Sequence, residues 1–536
     1  MSGSHKPSAI QKRAEQPAAL ARFDLLNLKQ RLPLVFPLPP DLPPSPKPCY
    51  RSAYRYLGWE ELEDSGALEN DSDFHISVRL FDYTHLEALL AAHIYRASAK
   101  GQVPFHPVSM YLLSLYRRER QLSRPAVLRV LRSKEEGAFL RRHLGFQHEF
   151  PSESGLRYFE SQIKPALQQE INALQIDVLH QAGLLPSRPH AEQKLTLAFD
   201  GMLHAARSRM HCSSVQAGCY EPAPRPCPAQ DKKKQGCDCA TARCASMCRY
   251  TTPRDPEARF IVYSGRNKQA RQSPNTPTEA TKQHAPRARM VYGYYSYAGQ
   301  ILDDELATFW TLPGAFGAAT CGDETLFPDN WIYLQSRFPW LNIGGVIADA
   351  GACEQRCLDL IWEAGALRLV DICAHKSDAD PAIRLQRGYD EHGHPLCPFG
   401  YVLRSNGHDY QRRRTKWRCS KRCLRDPQRP APECDYLRSD GKHGYTTTVG
   451  RTHADGTVRL AREIPYVSRA WELLYNRRNS AESRNSALER LGLKRLPVHG
   501  LSLAYVIVLQ GDLVANQRTL VRLVREAVAL RQARTA

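Results

Sequence analysis

At Lys194 the hydrophobic period of the chain changes, so no all-helical or all-strand fold accommodates both sides of it. Upstream, Leu156, Phe159, Ile163, Leu167, Ile171, Leu174 and Val178 step by three or four residues. That spacing predicts a single amphipathic helix of about six turns. Leu86, Leu89, Leu90 and Ile94 repeat the pattern, Val108–Tyr116 is densely apolar, and Ser123 with Pro125 reads as an N-cap and first turn. Downstream, Leu195-Thr-Leu-Ala-Phe-Asp200-Gly reads as a buried strand ending in a turn. Strand patterns recur at Met290–Tyr297, Ala307–Leu312, Ile343–Asp349 and Leu367–Ile372, with helices expected at Pro328–Phe338 and Cys353–Ala364. Alternating strands and helices predict an α/β sheet covered on both faces. A long helix is expected over Ser468–Leu491, then a strand-like Leu501–Leu509 and a closing helix Leu513–Arg531.

The expected organisation is therefore an all-helical domain over 50–190 and an α/β domain over 191–536. Ahead of them residues 1–49 read as a polar tail and linker, since half the positions from Pro33 to Pro48 are proline. Two stretches of the second domain, about 205–288 and 390–450, read as loop-like, Cys-rich insertions.

Charge and cysteine usage narrow the function classes. The 536 residues carry a formal net charge of +19, which points to a polyanionic partner. No apolar run approaches the ~20 residues of a membrane helix, and the first residues lack the apolar core of an export signal. A cytoplasmic, nucleoid-associated protein is the expectation. In a reducing compartment clustered cysteines read as metal ligands. Cys237, Cys239, Cys244 and Cys248 offer four thiolates within twelve residues, with Cys212, Cys219 and Cys227 nearby; Cys397, Cys419, Cys423 and Cys434 offer four more, with His392 and His394 just upstream. Each set is enough for one tetrahedral Zn²⁺. Cys353 and Cys357, one helical turn apart, read as core. Between the second set of ligands run Arg412, Arg413, Arg414, Lys416, Trp417 and Arg418. Cations in such a run can track a phosphate backbone while the indole stacks on a base.

Phosphate-loop, dinucleotide, nucleophile-elbow and zincin signatures are all missing. What remains is a set of carboxylates at the ends of elements: Asp200 before Gly201, Asp349 in Ala-Asp349-Ala-Gly351, and Glu482 on the long helix. Tyr475, Arg478 and Glu482 are spaced by three and four, so on one helix they share a face. Three hard oxygen donors from two strand ends and a helix can hold two Mg²⁺ (or Mn²⁺) ions about 4 Å apart, a clamp for in-line phosphoryl displacement.

These residues resemble the DDE transposases of bacterial insertion sequences, those with the Y-x₂-R-x₃-E signature. The resemblance spans roughly residues 80–490. Gly101-Gln-Val-Pro-Phe-His-Pro-Val-Ser-Met-Tyr-Leu-Leu and Phe139-Leu-Arg-Arg-His-Leu-Gly-Phe are similar to that family's helical N-terminal domain, and Pro151-Ser-Glu-Ser-Gly-Leu-Arg-Tyr-Phe to the segment that ends it. The resemblance implies a ribonuclease-H-like catalytic domain, with Asp200, Asp349 and Glu482 as the metal-binding triad. It further implies that Tyr475 and Arg478 contact the donor DNA end, that the partners are double-stranded DNA at the element ends and the target, and that the enzyme works as a homodimer or larger synaptic complex. The family places a basic residue seven positions after the glutamate; here that position is Glu489, and the resemblance makes Arg490, the next residue, the candidate to take over its DNA contact. Two other classes fit the same residues: a zinc-stabilised DNA-binding protein that does not cut, and a metal-dependent nuclease that cuts without joining.

Overall fold

The computed structural model describes residues 13, 15–37, 49–64, 66–95, 102–147, 149–186, 194–207, 255, 257–263, 289–372, 381–390, 393–409, 411–412, 414–427, 434–436, 444–450, 463–464, 466, 468–480 and 482–535. Cys237, Cys239, Cys244 and Cys248, with most of the 205–288 insertion, lie outside these, as do Arg413, His392 and the prolines from Pro39 to Pro48.

The N-terminal half is helical: α1 (Pro17–Ala21), α2 (Leu25–Leu28), α3 (Glu61–Asp64), α4 (Ala67–Asn70), α5 (Asp73–Leu80), α6 (Leu86–Ile94), α7 (Pro107–Glu119), α8 (Arg124–Arg132), α9 (Ala138–Leu144), α10 (Glu153–Gln162) and α11 (Pro165–Gln181). Ser72, Ser123 and Ser152 cap α5, α8 and α10, each accepting from the backbone N–H three residues on. The stripe expected to form one helix is split between α10 and α11. Pro165 opens α11 and disfavours helical backbone at the residue before it, and Ile163 and Lys164 are extended. Nor do residues 15–37 stand apart as a polar tail. Leu20, Phe23, Leu25 and Leu28 are buried, and strand β1 (Leu34–Val35) pairs in parallel with β2 (Phe81–Asp82).

The main sheet is built from β3 (Leu195–Ala205), β4 (Arg259–Tyr263), β5 (Arg289–Asp303), β6 (Thr308–Thr311), β7 (Ala315–Ala318), β8 (Ile343–Ala348) and β9 (Leu367–Val370). The order is β4-β5-β3-β8-β9, with β6 and β7 also paired to β5. β3 is antiparallel to β5 but parallel to β8, and β8 is parallel to β9. Alternate residues face opposite ways. Leu197 and Phe199 join the large core, where Phe199 meets Phe327 and Trp331 of α12 (Asp323–Arg337). Ala198, Ile347 and Leu369 pack on the other face against Trp471 of α15 (Arg469–Tyr475). Two further helices, α13 (Gln355–Glu363) and α14 (Pro381–Gln386), precede it.

The stretch 390–450, expected to be loop, contains a second sheet: β10 (Arg404–Asp409), β11 (Arg414–Arg418) and β12 (Thr446–Val449), all antiparallel. Tyr389, Leu403, Trp417 and Val449 form its small core.

After α16 (Glu482–Arg490) comes α17, a single helix from Leu501 to Thr535 where a strand and a shorter helix were expected. The run Ala504–Leu509 has no polar period because the helix is enclosed on nearly every side, and an apolar run of that length does not distinguish strand from helix. Its polar side chains tie both halves together. Asn172 and Gln517 form hydrogen bonds of 2.7 Å, to the Leu509 carbonyl and the Tyr83 hydroxyl, and Asn516 exchanges two with the backbone of Thr311. Among the described residues no helix is long and apolar enough to cross a membrane.

Arg484 of α16 makes a two-pronged ion pair with Asp512 of α17, at 2.8 and 2.9 Å, and both side chains are 1% exposed. Removing one partner strands a buried charge. Asp512→Ala is therefore expected to lower unfolding free energy by ~3–5 kcal/mol in urea titrations.

Candidate active site at the ends of two parallel strands

The pairing of β3 with β8 covers only Leu195–Ala198, whereas β5 carries β3 on to Ala205. Asp200 thus stands just past the last parallel pairing, in mid-strand rather than at the turn expected from Asp-Gly. Asp349 follows directly on Ala348, the end of β8, and its side chain accepts from the Ala350 N–H at 2.7 Å. Parallel neighbours end side by side, so the two carboxylates converge, the usual place for a site in an open α/β sheet.

Asp200 shares the face of Ala198, the face that α15 covers. The long helix expected to carry Tyr475, Arg478 and Glu482 on one side is broken there. α15 ends at Tyr475, a 3₁₀ turn spans Asn476–Ser480, and α16 starts at Glu482. Asn476 is a residue type that favours local side-chain hydrogen bonds over a helix interior. Arg477 secures the turn, donating to Asp304 at 2.8 Å and to the Thr196 hydroxyl at 2.9 Å. Arg478 then reaches both aspartates: one Nη2 donates to Asp200 Oδ1 and Asp349 Oδ2, each at 3.2 Å. Tyr475 faces elsewhere, stacked on Trp471 at 4.3 Å and donating to Asp371 at 3.4 Å. Glu482 is exposed in the first turn of α16.

Charge decides how this corner holds together. Burial raises the Asp200 pKa, Arg478 opposes that rise, and Asp349 and Glu482 add to it. Burial also works against the Arg478 charge, but Asp349 and Asp200 outweigh it and the guanidinium is held firmly protonated.

Two residues of the corner carry no signal in the sequence. Asn485, one turn beyond Glu482, donates to Asp200 Oδ2 at 2.8 Å and to the Gly201 carbonyl at 3.2 Å. Asp323 opens α12 on the opposite face of the sheet and accepts from the Tyr295 hydroxyl at 2.5 Å. In sequence it reads only as an acidic residue in a helical first turn. A Cβ at Gly201 would overlap the Tyr295 hydroxyl, and one at Gly351 would overlap the Asp323 carboxylate. The glycines that follow the two aspartates are thus the space into which the Tyr295–Asp323 pair fits.

The second insertion departs from expectation. Trp417 is 1% exposed at the centre of its small core, so it is not a platform for a base. β11 alternates, with Thr415 and Trp417 inward and Arg414 and Arg418 outward. Lys416 lies 3.5 Å from Asp409, Arg412 is exposed, and Arg414 donates to the Thr448 hydroxyl. Cys397, Cys419, Cys423 and Cys434 are brought within electrostatic reach of one another: burial raises the Cys423 thiol pKa, and Cys419, Cys397 and Cys434 each add to the rise. Among the described residues, no three His, Cys, Asp or Glu side chains are arranged to hold a metal ion. Cys353 and Cys357 are buried core residues. Arg490, at the end of α16, lines a cleft away from the aspartates, and Glu489 pairs with Lys494 at 2.5 Å.

No protein-family model, no curated protein and no solved structure matches the chain.

Burial pushes Asp323 up to about 7, with the Tyr295 hydrogen bond opposing and Asp200 and Asp349 adding to the rise. A carboxyl whose folded pKa exceeds its unfolded value of ~3.9 favours the fold while neutral. Stability in a metal-free buffer is therefore expected to decline as pH rises from about 4 to about 7, and Asp323→Asn to flatten that decline in pH-dependent urea melts.

Proposed function

We propose that the chain cuts and joins DNA as a transposase of the DDE type, binding the terminal inverted repeats of its own element. The observation that carries this reading is the convergence of Asp200 and Asp349 on the arginine of Tyr475-x₂-Arg478-x₃-Glu482. The strand order supports a ribonuclease-H-like domain: an antiparallel β5 beside β3, then β8 and β9 in parallel.

The donor set is hard oxygen, and the Arg478 guanidinium neutralises both aspartates. Asp200, Asp349 and Glu482 are not arranged to hold a metal ion as they stand; with Arg478 withdrawn and the exposed Glu482 turned in, they would hold Mg²⁺ (or Mn²⁺), which when bound supplies charge stabilisation for in-line displacement at phosphorus. Arg478 would then leave the carboxylates for a backbone phosphate, its planar fork matching phosphate oxygens. Asn485 keeps Asp200 turned to the site throughout, because its other contact is backbone. In the first step water displaces the 3′-oxygen of the phosphodiester at the element end, leaving a free 3′-hydroxyl. In the second, that hydroxyl loses its proton and bonds to a target phosphorus while the target's own 3′-oxygen leaves. Two ends brought together call for a homodimer or larger synaptic complex on double-stranded DNA, in a nucleoid-associated setting.

Cys397, Cys419, Cys423 and Cys434, which are not arranged to hold a metal ion as they stand, would have to draw together to hold a structural Zn²⁺; it would then staple the three-stranded sheet and present Arg412, Arg414 and Arg418 to DNA. Metal analysis of the purified chain is expected to find zinc that Cys423→Ser reduces by one equivalent. Chelation is expected to destabilise the small sheet before the main one.

A second reading is binding without cutting. Arg478 bonded to both aspartates and Glu489 in the place of a basic residue favour it. A strand-transfer assay in Mg²⁺ separates the two. With a labelled duplex bearing the genomic sequence that flanks the gene, wild type is expected to give joined products. Asp349→Ala and Glu482→Ala are expected to give none, a loss of at least ~10³-fold, the scale set by removing an electrostatic stabiliser. Tight binding with neither nicked nor joined product would establish the second reading, and nicks without joints a nuclease.

A further inference from the structure

α16 presents three faces to three surroundings. Arg484 and Leu488 are buried, Glu482 and Asn485 border the aspartates, and Ser483, Ser486, Ala487 and Arg490 line a cleft of about 600 Å³. The far wall of the cleft is α17, and α5 and the turn before β6 close its ends. Five guanidinium groups line it, from Arg13, Arg490, Arg518, Arg522 and Arg525, against one carboxylate, Asp73.

Three of the five are neutralised. Arg13 is paired with Glu526, Arg518 with Glu119 at 3.3 Å, and Arg525 with Asp73 at 2.5 Å. Among the described residues neither Arg490 nor Arg522 makes an ion pair. Among the described residues Arg522 donates to a neutral oxygen, the Thr308 hydroxyl, at 2.9 Å. Its pKa is lowered by desolvation in the cleft and by the charges of Arg13 and Arg490, although Glu526 opposes the shift. Like charges are thus gathered into a concave space with an excess of two, an arrangement that an anion would relieve.

We propose that this cleft binds the phosphodiester backbone of the DNA strand whose adjoining phosphate lies at Asp200 and Asp349. The proposal rests on the reading of that corner as a DNA-processing site and locates the strand beyond it. The stripe from Ser483 to Arg490 rises ~10 Å along α16, the axial length of about three phosphates of one strand. It begins one residue after Glu482, so the carboxylate corner and the cleft border two neighbouring faces of one helix. Serine hydroxyls and unpaired guanidinium groups are the donors that position a backbone without reading its sequence.

The test is the salt dependence of binding, measured by fluorescence anisotropy between 50 and 200 mM salt on the same flanking duplex. Each phosphate contact contributes about 0.9 to the slope of log K against log salt. Arg490→Gln with Arg522→Gln is expected to flatten the slope by about 1.8, and the corresponding pair of lysines to retain it. Both side chains are exposed, and a thermal melt checks that the variants are folded. An unchanged slope in the folded glutamine variant, or no binding by wild type, overturns the proposal. So does tripolyphosphate raising the melting temperature of wild type but not of the glutamine variant while the slopes stay equal, because the cleft would then serve a small phosphate. A flattened slope in a chain that never joins DNA would keep the cleft and remove the transposase. Joined products with equal slopes would do the reverse.

Discussion

Two carboxylates placed where the parallel pairing of neighbouring strands stops repel each other, and burial strengthens the repulsion because little water is left to screen it. Arg478 answers that problem directly, standing between Asp200 and Asp349. Much else serves to deliver it there. Trp471 seats α15 on the sheet, the 3₁₀ turn directs residue 478 inward, and Arg477 secures the turn to Thr196 and Asp304.

The positioning extends outward through α16 to α17. Arg484 and Asp512 join the two helices in a pair that excludes water, and the Ser296 hydroxyl links Arg484 to His204 on β3. His204, also bonded to the Leu493 carbonyl, stays neutral because burial lowers its pKa to about 4. α17 in turn carries hydrogen bonds to α11, to β6 and to Tyr83. The helical half and the sheet consequently share one continuous core, and the helix bearing Glu482 is held by both.

The sequence made legible what local period and spacing encode. The switch at Lys194 and the strands leading to Asp200 and Asp349 could be read from runs of apolar residues, whereas the spacing of Tyr475, Arg478 and Glu482 called for an unbroken helix that the 3₁₀ turn interrupts. What stayed hidden depended on long-range packing. Asp323 resembles any acidic residue in a helical first turn, and only the fold brings it behind Gly201 and Gly351. α17 looked like a strand because an enclosed helix has no polar face to mark its period. Trp417 sat among so many cations that a strand alternating inward and outward read as a basic loop. Pro165 was the exception: the break it makes between α10 and α11 was present in the sequence, beneath a stripe of apolar residues that crosses it.

The three-sided character of α16 has a consequence for how such a chain can vary. Gaining or losing one residue within Glu482–Arg490 turns everything after it by about 100°. An insertion after Arg484 would leave that arginine in place but put Leu488 at the exposed position of Glu489 and Arg490 at the buried position of Leu491, so core and cleft would fall out of phase together. Surface loops can lengthen freely, but this helix behaves like a key cut on three edges. Substitutions along it are judged one edge at a time, while its length is judged by all three at once.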